Sequence, residues 1–267
     1  MAHDVYPGWR PARVLENRPV AAGSMWLALQ AIDDSAAAYE PGHVLGLGLS
    51  LDNGFMRHAY TVSRGEFRSR QFEHLYRVIP DGRMTPRLSE MLPGATVFFH
   101  GPFHTPIQYE IQPGAERITL IATGTGVGPL FGYAEKTLRE GETRPITLYA
   151  SFREESHVCL TAELDRLART YPNFRWHYSL TRPSGSWGGF RGRVTDWVPR
   201  ELSSSKLETH HFHLVGNGEM VHLVRRALYG AGVARERVST ETYFNHHAEP
   251  DDAEIDRLTI QFRDSGR

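Results

Sequence analysis

The sequence has one cysteine, no long apolar run and almost no net charge, and each of these shortages excludes a class of protein. A single thiol, Cys159, can form no internal disulfide and cannot hold a four-cysteine iron–sulfur cluster on this chain. No run approaches the roughly 18 apolar residues that a membrane span requires. Thirty basic residues against 31 acidic ones give a formal net charge of −1, so the basic excess of a nucleic-acid binder is missing.

The remaining composition is that of a globular protein with a sizeable core. A length of 267 residues suits two domains of about 100–150 residues each. The first ten residues lack the basic-then-apolar order of a secretory signal, so we expect a cytoplasmic protein.

Histidine is the only residue type whose clustering suggests a metal site. His210, His211 and His213 lie close together, and strand alternation places His211 and His213 on one face with His210 on the other. We expect solvated or edge-strand histidines here, and no metal.

The first half of the chain consists of short candidate strands separated by turns. The strands mix apolar, β-branched and aromatic residues. They are predicted at 26–31, 44–51, 58–63, 74–79 and 96–100, with one short helix at 86–91. Turn-forming pairs such as Pro41-Gly42, Asp81-Gly82 and Pro93-Gly94 separate them, as does Asp52-Asn53-Gly54. Many short strands with regular turns predict a closed antiparallel β-barrel over residues 1–112.

After residue 112 the pattern becomes an alternation of strands and helices. Strands are predicted at 118–123, 146–151, 174–180, 212–215 and 238–243, and helices at 130–139, 162–170, 195–198 and 220–228. Such alternation predicts an α/β domain over residues 117–245, with a parallel sheet covered on both faces. Its ligands belong at the carboxyl ends of the strands.

Residues 246–267 form a C-terminal extension with an acidic stretch followed by Leu258-Thr259-Ile260-Gln261-Phe262. The alternation in that last segment suggests one extra strand. A plain tail and a segment that covers a flavin both remain open for this extension.

A glycine-rich loop joins the first strand of the second half to its helix. Without side chains, Gly124, Gly126 and Gly128 would let a pyrophosphate approach the backbone beside a helix N-terminus. Equally, the glycines could serve only a tight strand–helix turn. Proline at position 129 replaces the third glycine of the usual dinucleotide-binding pattern.

Five segments in order resemble the ferredoxin–NADP+ reductase superfamily over roughly residues 10–245. They are Pro41-Gly42-His43-Val44, Arg57-His58-Ala59-Tyr60-Thr61-Val62-Ser63, Gly82-Arg83-Met84-Thr85, Gly124-Thr125-Gly126-Val127-Gly128-Pro129 and Val215-Gly216-Asn217-Gly218-Glu219-Met220. Thr181-Arg182-Pro183 followed by Gly192-Arg193-Val194-Thr195-Asp196 is similar to the bacterial ferredoxin and flavodoxin reductases.

The resemblance implies a bound flavin, FAD rather than FMN. The ring of Tyr60 would pack on the isoalloxazine and Thr61 would reach its N5 atom. The family arginine stands two residues before the tyrosine, where this chain has His58. Either a one-residue bulge restores Arg57 to the flavin phosphate, which we favour, or His58 takes part. The implied flavin-binding set is Arg57, His58, Tyr60, Thr61, Val62, Ser63, Tyr76, Val78, Gly82, Met84, Thr85, Thr125, Tyr243 and Phe244.

The resemblance also implies NADP(H) as substrate. Arg153 and Arg182 follow the second and third strands of the α/β domain, where arginines would hold a 2′-phosphate. Glu154 and Glu155 keep NAD open, since NAD enzymes place an acid there. The implied NADP-binding set is Gly124, Thr125, Gly126, Gly128, Ser151, Arg153, Thr181, Arg182, Arg193, Gly216, Asn217 and Met220.

The implied reaction is electron transfer between NADP(H) and a separate carrier, ferredoxin or flavodoxin. Tyr60, Thr61, Val215 and Glu241 would lie at the reacting centre, with Val215 at the position of the family cysteine. A slower hydride step is therefore expected, although the flavin itself performs the chemistry. An arginine rim of Arg64, Arg68 and Arg70 would face the acidic carrier. An oxygenase reductase component and a non-enzymatic module that has lost its cofactor remain as alternatives.

Overall fold

The computed structural model describes residues 7–33, 39–52, 54–66, 70–202 and 205–264, which build two β-sheets with helices. The first sheet is antiparallel and has seven strands. They are β1 (Arg10–Ala21), β2 (Ser24–Ala31), β3 (Val44–Leu51), β4 (Gly54–Thr61), β5 (Arg64–Glu66), β6 (Gln71–Arg77) and β7 (Thr96–His104). A short helix α1 (Thr85–Ser89) follows β6.

This sheet has the order β4-β3-β7-β1-β2-β6-β5 and curls strongly. The chain just after β4 meets β6, because the amide of Ser63 donates to the carbonyl of Glu73 at 2.7 Å. Inward-facing residues such as Leu27, Leu29, Leu45 and Leu47 are fully buried within the curl. The predicted antiparallel barrel is confirmed as a curled sheet, although β4 and β5 remain its edges.

The second sheet is parallel and has six strands in the order β11-β10-β9-β8-β12-β13. The strands are β8 (Arg117–Thr123), β9 (Ile146–Phe152), β10 (Phe174–Leu180), β11 (Phe190–Arg191), β12 (His210–Asn217) and β13 (Val238–Phe244). The helices are α2 (Val127–Arg139), α3 (Thr161–Thr170), α4 (Val194–Glu201), α5 (Gly218–Gly230) and α6 (Asp252–Asp264). Neighbouring residues of β8 face opposite ways: Leu120 packs with α2 and α3, and Ile121 packs with α4 and α5. The predicted parallel sheet covered on both faces is confirmed.

Three features differ from the sequence-based expectations: the strand β1, the segment 258–262 and the histidines of β12. The longest strand, β1, went unpredicted because two prolines and several charged residues break its apolar alternation. The segment 258–262 is not a strand: it lies in α6, where Leu258 and Phe262, four residues apart, are buried against α5 while Ile260 is 55% exposed.

The histidines of β12 are neither solvated nor at a sheet edge. β12 pairs with β8 on one side and β13 on the other, so His210, His211 and His213 are all buried. His211 and His213 do share a face, with ring centroids 4.9 Å apart. Among the described residues no group of three or more His, Cys, Asp or Glu side chains is placed to hold a metal ion.

The two sheets are docked through α2. An added Cβ on Gly132 would lie 1.6 Å from the carbonyl oxygen of Ser63, and one on Gly128 would lie 2.5 Å from the Ser63 hydroxyl. Beside them the Arg64 guanidinium donates to both carboxylate oxygens of Glu135, at 2.7 and 3.0 Å. Helix α2 can therefore approach the first sheet only because it carries glycine at these two positions.

Two arginines of the expected rim are engaged in contacts within the chain. Arg64 is held in the docking contact, and Arg70 donates to the carbonyl of Asp33 at 2.8 Å. Arg68 lies outside the described residues. In the part of the chain that the structure describes, no helix is both long and apolar enough to cross a membrane.

Candidate functional site

Two adjoining cavities lie where the sheets meet. The barrel cavity, about 640 Å³, opens between β4, β6 and β13. The sheet cavity, about 690 Å³, lies over the carboxyl ends of the parallel strands. Both volumes are within the range typical of small-molecule and cofactor sites. The two share a wall made by Arg77, Thr125, Tyr243 and Phe244.

Most of the predicted flavin-binding residues line the barrel cavity. These are His58, Tyr60, Thr61, Tyr76, Gly82, Met84, Thr85, Thr125, Tyr243 and Phe244, together with the predicted catalytic residue Glu241. Tyr60 meets the edge of Tyr76 at a centroid distance of 6.1 Å, and burial raises the pKa of both phenols. The cavity thus presents an aromatic, mostly apolar surface.

Four predicted flavin-binding residues lie elsewhere. Val62 and Val78 pack in the barrel core, and Ser63 is fully buried with its hydroxyl accepting the amide of Leu75 at 3.0 Å. Arg57 is exposed and lines an adjoining cavity that shares His58, Arg83 and Met84 with the barrel cavity. The predicted set therefore divides between cavity wall and structural support.

The expected bulge in β4 is not present. β3 and β4 pair without a register shift from Val44↔Thr61 to Leu51↔Gly54. Strand alternation then puts His58, not Arg57, on the face of Tyr60, with ring centroids 6.1 Å apart. The favoured restoration of Arg57 by a bulge is wrong.

The carboxyl of Glu241, in the wall of the barrel cavity, has a pKa close to neutral pH. The hydroxyl of Thr61 donates to Oε1 of Glu241, while Oε2 of Glu241 is buried with no hydrogen-bond partner. Burial raises the pKa of Glu241 to about 7, against the opposing hydrogen bond from Thr61. Burial and the neighbouring Glu241 also raise the pKa of Tyr243. The Glu241 carboxyl can therefore gain or lose a proton near neutral pH.

The three loop glycines have different physical roles. Gly124 has a left-handed φ of 54° with open space around it, and it lines the sheet cavity. Gly126 instead packs on β12, where an added Cβ would lie 2.4 Å from the carbonyl oxygen of Val215. Gly128 belongs to the docking contact. Only Gly124 offers its backbone to a ligand.

The sheet cavity gathers most of the predicted nucleotide-binding residues. Those that line it are Gly124, Thr125, Ser151, Arg153, Thr181, Arg182, Arg193, Gly216, Asn217 and Met220. Thr125 and Ser151 are 7% and 6% exposed, and neither hydroxyl has a hydrogen-bond partner in the described chain. Arg182 likewise forms no ion pair with a described residue. The cavity thus carries buried donors and a free cation, ready for an anionic, hydroxyl-rich ligand.

Val215 does not reach either cavity. It is 1% exposed, and its carbonyl lies against Gly126. The next residue, Gly216, lines the sheet cavity with a φ of 143°, and the amide of Asn217 donates to the hydroxyl of Thr123 at 2.8 Å. The backbone here turns toward the cavity one residue later than expected.

Sequence reasoning missed two parts of the wall. Arg77, the last residue of β6, lines both cavities without an ion pair in the described chain; because β6 also carries Glu73 and His74, the charge at position 77 gave no distinct sequence signal. The C-terminal segment also lines the sheet cavity through Ala248, Glu249, Pro250, Asp251 and Glu254. Its acidic composition was noticed, but its position could not be.

Comparison with known proteins identifies the class of this site. Residues 120–226 match the model of the oxidoreductase NAD-binding domain. The matched residues run from β8 to α5 of the second sheet and its helices.

The family follows from similarity over most of the chain. Ferredoxin–NADP reductase B of Sorangium cellulosum is 31% identical over 238 residues, covering 87% of this chain and 96% of that protein. The glycine betaine monooxygenase reductase subunit of Chromohalobacter salexigens is 25% identical over 254 residues, covering 86% and 67%. A solved ferredoxin NADP+ reductase of Neisseria gonorrhoeae with bound FAD and NADP has a TM-score of 0.76 at 19% identity, covering 89% and 99%. The chain belongs to the ferredoxin–NADP+ reductase family of oxidoreductases, whose members bind FAD and NAD(P)H.

Proposed function

We propose that the protein transfers electrons between NADP(H) and a separate one-electron carrier, ferredoxin or flavodoxin, through a flavin held in the barrel cavity. The observation that carries this proposal is the shared wall of the two cavities. Hydride transfer needs its two partners in contact. A ligand in one cavity would meet a ligand in the other at Thr125 and Tyr243.

The lining of the barrel cavity supports a flavin as its ligand, and the proposed flavin is FAD, as in the family. Tyr60 offers a flat aromatic face, and Thr125 a buried hydroxyl with no other partner. His58 and Arg83 in the cavity wall are basic groups that could hold a flavin phosphate. When bound, the flavin would supply the exchange between two-electron and one-electron steps.

Thr61 and Glu241 would hold a proton beside the reacting ring. With a pKa of about 7, the Glu241 carboxyl is protonated in a large fraction of molecules at neutral pH. In that form the carboxyl no longer requires the hydroxyl of Thr61 as a donor, so this hydroxyl can turn toward the cavity.

The sheet cavity favours NADP over NAD. Arg153, Arg182 and Arg193 line it, whereas Glu154 and Glu155 do not. Glu155 accepts hydrogen bonds from the amide and hydroxyl of Ser184, at 3.0 and 2.5 Å, so its carboxylate is engaged in a turn. Arginine forks are the donors that a 2′-phosphate requires.

Carrier-dependent electron transfer tests the proposal directly. FAD-loaded protein with NADPH should reduce cytochrome c rapidly only after ferredoxin or flavodoxin is added. NADH should support a much lower rate at equal concentration. A rate independent of the added carrier would reject the carrier function.

A second candidate is the reductase component of an oxygenase. It is favoured by the likeness to the monooxygenase reductase subunit over 86% of this chain. With one cysteine, this chain would need a separate iron–sulfur protein as its acceptor. Turnover with a Rieske-type oxygenase but not with ferredoxin or flavodoxin would favour this candidate. A cytoplasmic location stays a prediction for both.

A further inference from the structure

The cavity that Arg57 lines lies beside the hairpin of β3 and β4, and we call it the hairpin cavity. Its volume is about 600 Å³, within the range typical of small-molecule sites. It shares His58, Arg83 and Met84 with the barrel cavity. The residues that line the hairpin cavity but not the barrel cavity are Leu51, Gly54, Phe55, Met56 and Arg57.

The three cavities follow one another in a fixed order. The sheet cavity meets the barrel cavity at Thr125 and Tyr243, and the barrel cavity meets the hairpin cavity at His58 and Arg83. Among the described residues, none lines both the sheet cavity and the hairpin cavity. The barrel cavity therefore lies between the other two.

Strand β4 connects the barrel cavity to the hairpin cavity. Its residues Ala59, Tyr60 and Thr61 line the barrel cavity, His58 lines both, and residues 54–57 line the hairpin cavity. Because a strand rises about 3.3 Å per residue, the four steps from His58 to Gly54 cover about 13 Å. The hairpin cavity thus continues the barrel cavity along the strand, away from Thr61.

The order of the cavities decides which way a flavin would point. On the proposed function, the flavin ring lies at the end that meets the sheet cavity, near Thr125 and Tyr243, because it exchanges a hydride with the nucleotide there. The rest of the ligand then extends toward the opposite end. At that end His58 and Arg83 offer basic groups for its first phosphate. The hairpin cavity begins where this phosphate would lie.

Much of the lining of the hairpin cavity is apolar. Leu51, Phe55 and Met56 contribute side chains to it. The ring of Phe55 is held by Trp9 and Phe98, with ring centroids 4.9 and 5.9 Å apart. A fixed aromatic ring beside a methionine offers the apolar contact that a flat base requires.

The charge of the hairpin cavity is positive. Arg57 and Arg83 line it, and neither forms an ion pair with a described residue. The described lining contains no carboxylate. Arginine forks are the usual partners of phosphates. FAD differs from FMN by an adenylate joined to the first phosphate, and this cavity combines a cation for a second phosphate with an apolar surface for a base.

We propose that the adenylate half of FAD lies extended in the hairpin cavity, and that this cavity makes the chain select FAD over FMN. The inference rests on the proposed flavin site. It assigns Arg57 to the adenylate phosphate, and Phe55 and Met56 to the adenine ring. An adenylate folded back over the flavin ring would contact none of these three side chains.

The test compares a cavity variant with a control variant of the same composition. The cavity variant is Met56→Ala with Arg57→Ala, at two positions that do not line the barrel cavity. The control variant is Met25→Ala with Arg13→Ala, again one partly buried methionine and one exposed arginine, which line none of the three cavities. The full-length chain is freed of flavin and titrated with FAD and with FMN by calorimetry. Arg57→Ala alone, at an exposed side chain, repeats the comparison if the double variant unfolds.

The expected result is a loss confined to FAD. The Kd for FAD should rise about 10-fold to 100-fold in the cavity variant, since one charge-assisted hydrogen bond is lost. The Kd for FMN should stay unchanged, and so should both values in the control variant. Equal losses for FAD and FMN, no loss for either, or equal affinity of the wild-type chain for both would overturn the inference and leave the flavin site in place. A wild-type chain that binds neither flavin would overturn the proposed function as well.

Discussion

The two cavities share a wall but differ in the chemistry of the side chains that line them. The barrel cavity is lined by rings and buried groups, and burial raises the pKa of Tyr60, Tyr76 and Glu241. The sheet cavity is lined by exposed arginines and exposed carboxylates. Apolar contact in a dry site favours slow release, whereas charged contacts near water are weakened by salt and exchange readily. Under the proposed function, the first suits a resident flavin and the second a nucleotide that comes and goes.

Acidification should destabilise the parallel sheet more than the antiparallel sheet. Burial lowers the pKa of His74, His210 and His211 to about 4 and also holds the pKa of His213 well below its usual value, and three of these four lie in β12. The folded-state pKa is depressed below the unfolded value near 6.5, so stability is lost as pH falls from about 6.5 toward 4. Glu241, whose pKa is raised, instead adds stability as pH falls from about 7 to 4.5.

The net loss between pH 7 and pH 5 should be a few kcal/mol, because each buried histidine loses about 1.4 kcal/mol per pH unit below about 6.5 and Glu241 offsets only part of that loss. Urea unfolding at the two pH values measures it. His211→Asn should reduce the dependence. Equal stability at pH 5 and pH 7 would mean that these histidines are not buried as described.

The shared wall depends on the close docking of α2. Gly132→Ala puts a methyl group 1.6 Å from the Ser63 carbonyl, so the helix must move. We expect a loss of about 3 kcal/mol in the free energy of unfolding. Gly188→Ala, at an exposed glycine with nothing within 4 Å, is the control and should change stability by less than about 0.5 kcal/mol. Similar effects for the two variants would contradict the docking contact.

The aromatic side of the comparison can be tested at Tyr60. Tyr60→Ala removes the ring from the barrel cavity and should raise the Kd for FAD about 100-fold, since such rings contribute by area burial as well as by stacking. Tyr60→Phe keeps the ring and should stay within about threefold of wild type. Flavin fluorescence after dilution reports both. Retention of FAD by the alanine variant would remove Tyr60 from the site.

The charged side of the comparison can be tested at Arg182. Arg182→Ala should raise KM for NADPH about 10-fold to 100-fold, because a charge-assisted hydrogen bond contributes about 1.5–3 kcal/mol. KM for NADH should change little. Arg139→Ala, an exposed arginine outside both cavities, is the control. An equal rise in KM for both nucleotides would contradict a 2′-phosphate contact.

Local sequence patterns predicted the fold and about half of each cavity wall. Strand–helix alternation with a glycine at 124 is a local signal, and it located the sheet and its loop correctly. It was harder to predict which residues of β4 face the cavity, because strand register decides whether Arg57 or His58 lies on the face of Tyr60. The burial of Val62, Ser63 and Val215 depends on contacts far away in sequence, which no local pattern carries.

The C-terminal segment shows the same limit. Leu258, Ile260 and Phe262 alternate as a strand would, yet Leu258 and Phe262 also fit one helix face, and α5 decides between them by packing on that face. Arg77 was missed because its partners across the cavity come from the other sheet.

The central claim is that a flavin in the barrel cavity meets a nucleotide in the sheet cavity at their shared wall. Anaerobic mixing of FAD-loaded protein with NADPH, followed at the flavin absorbance band, tests it most directly. The account predicts rapid bleaching that slows at least tenfold in Arg182→Ala at limiting NADPH. A protein that binds no flavin, or bound flavin that NADPH and NADH both leave oxidised, would contradict it.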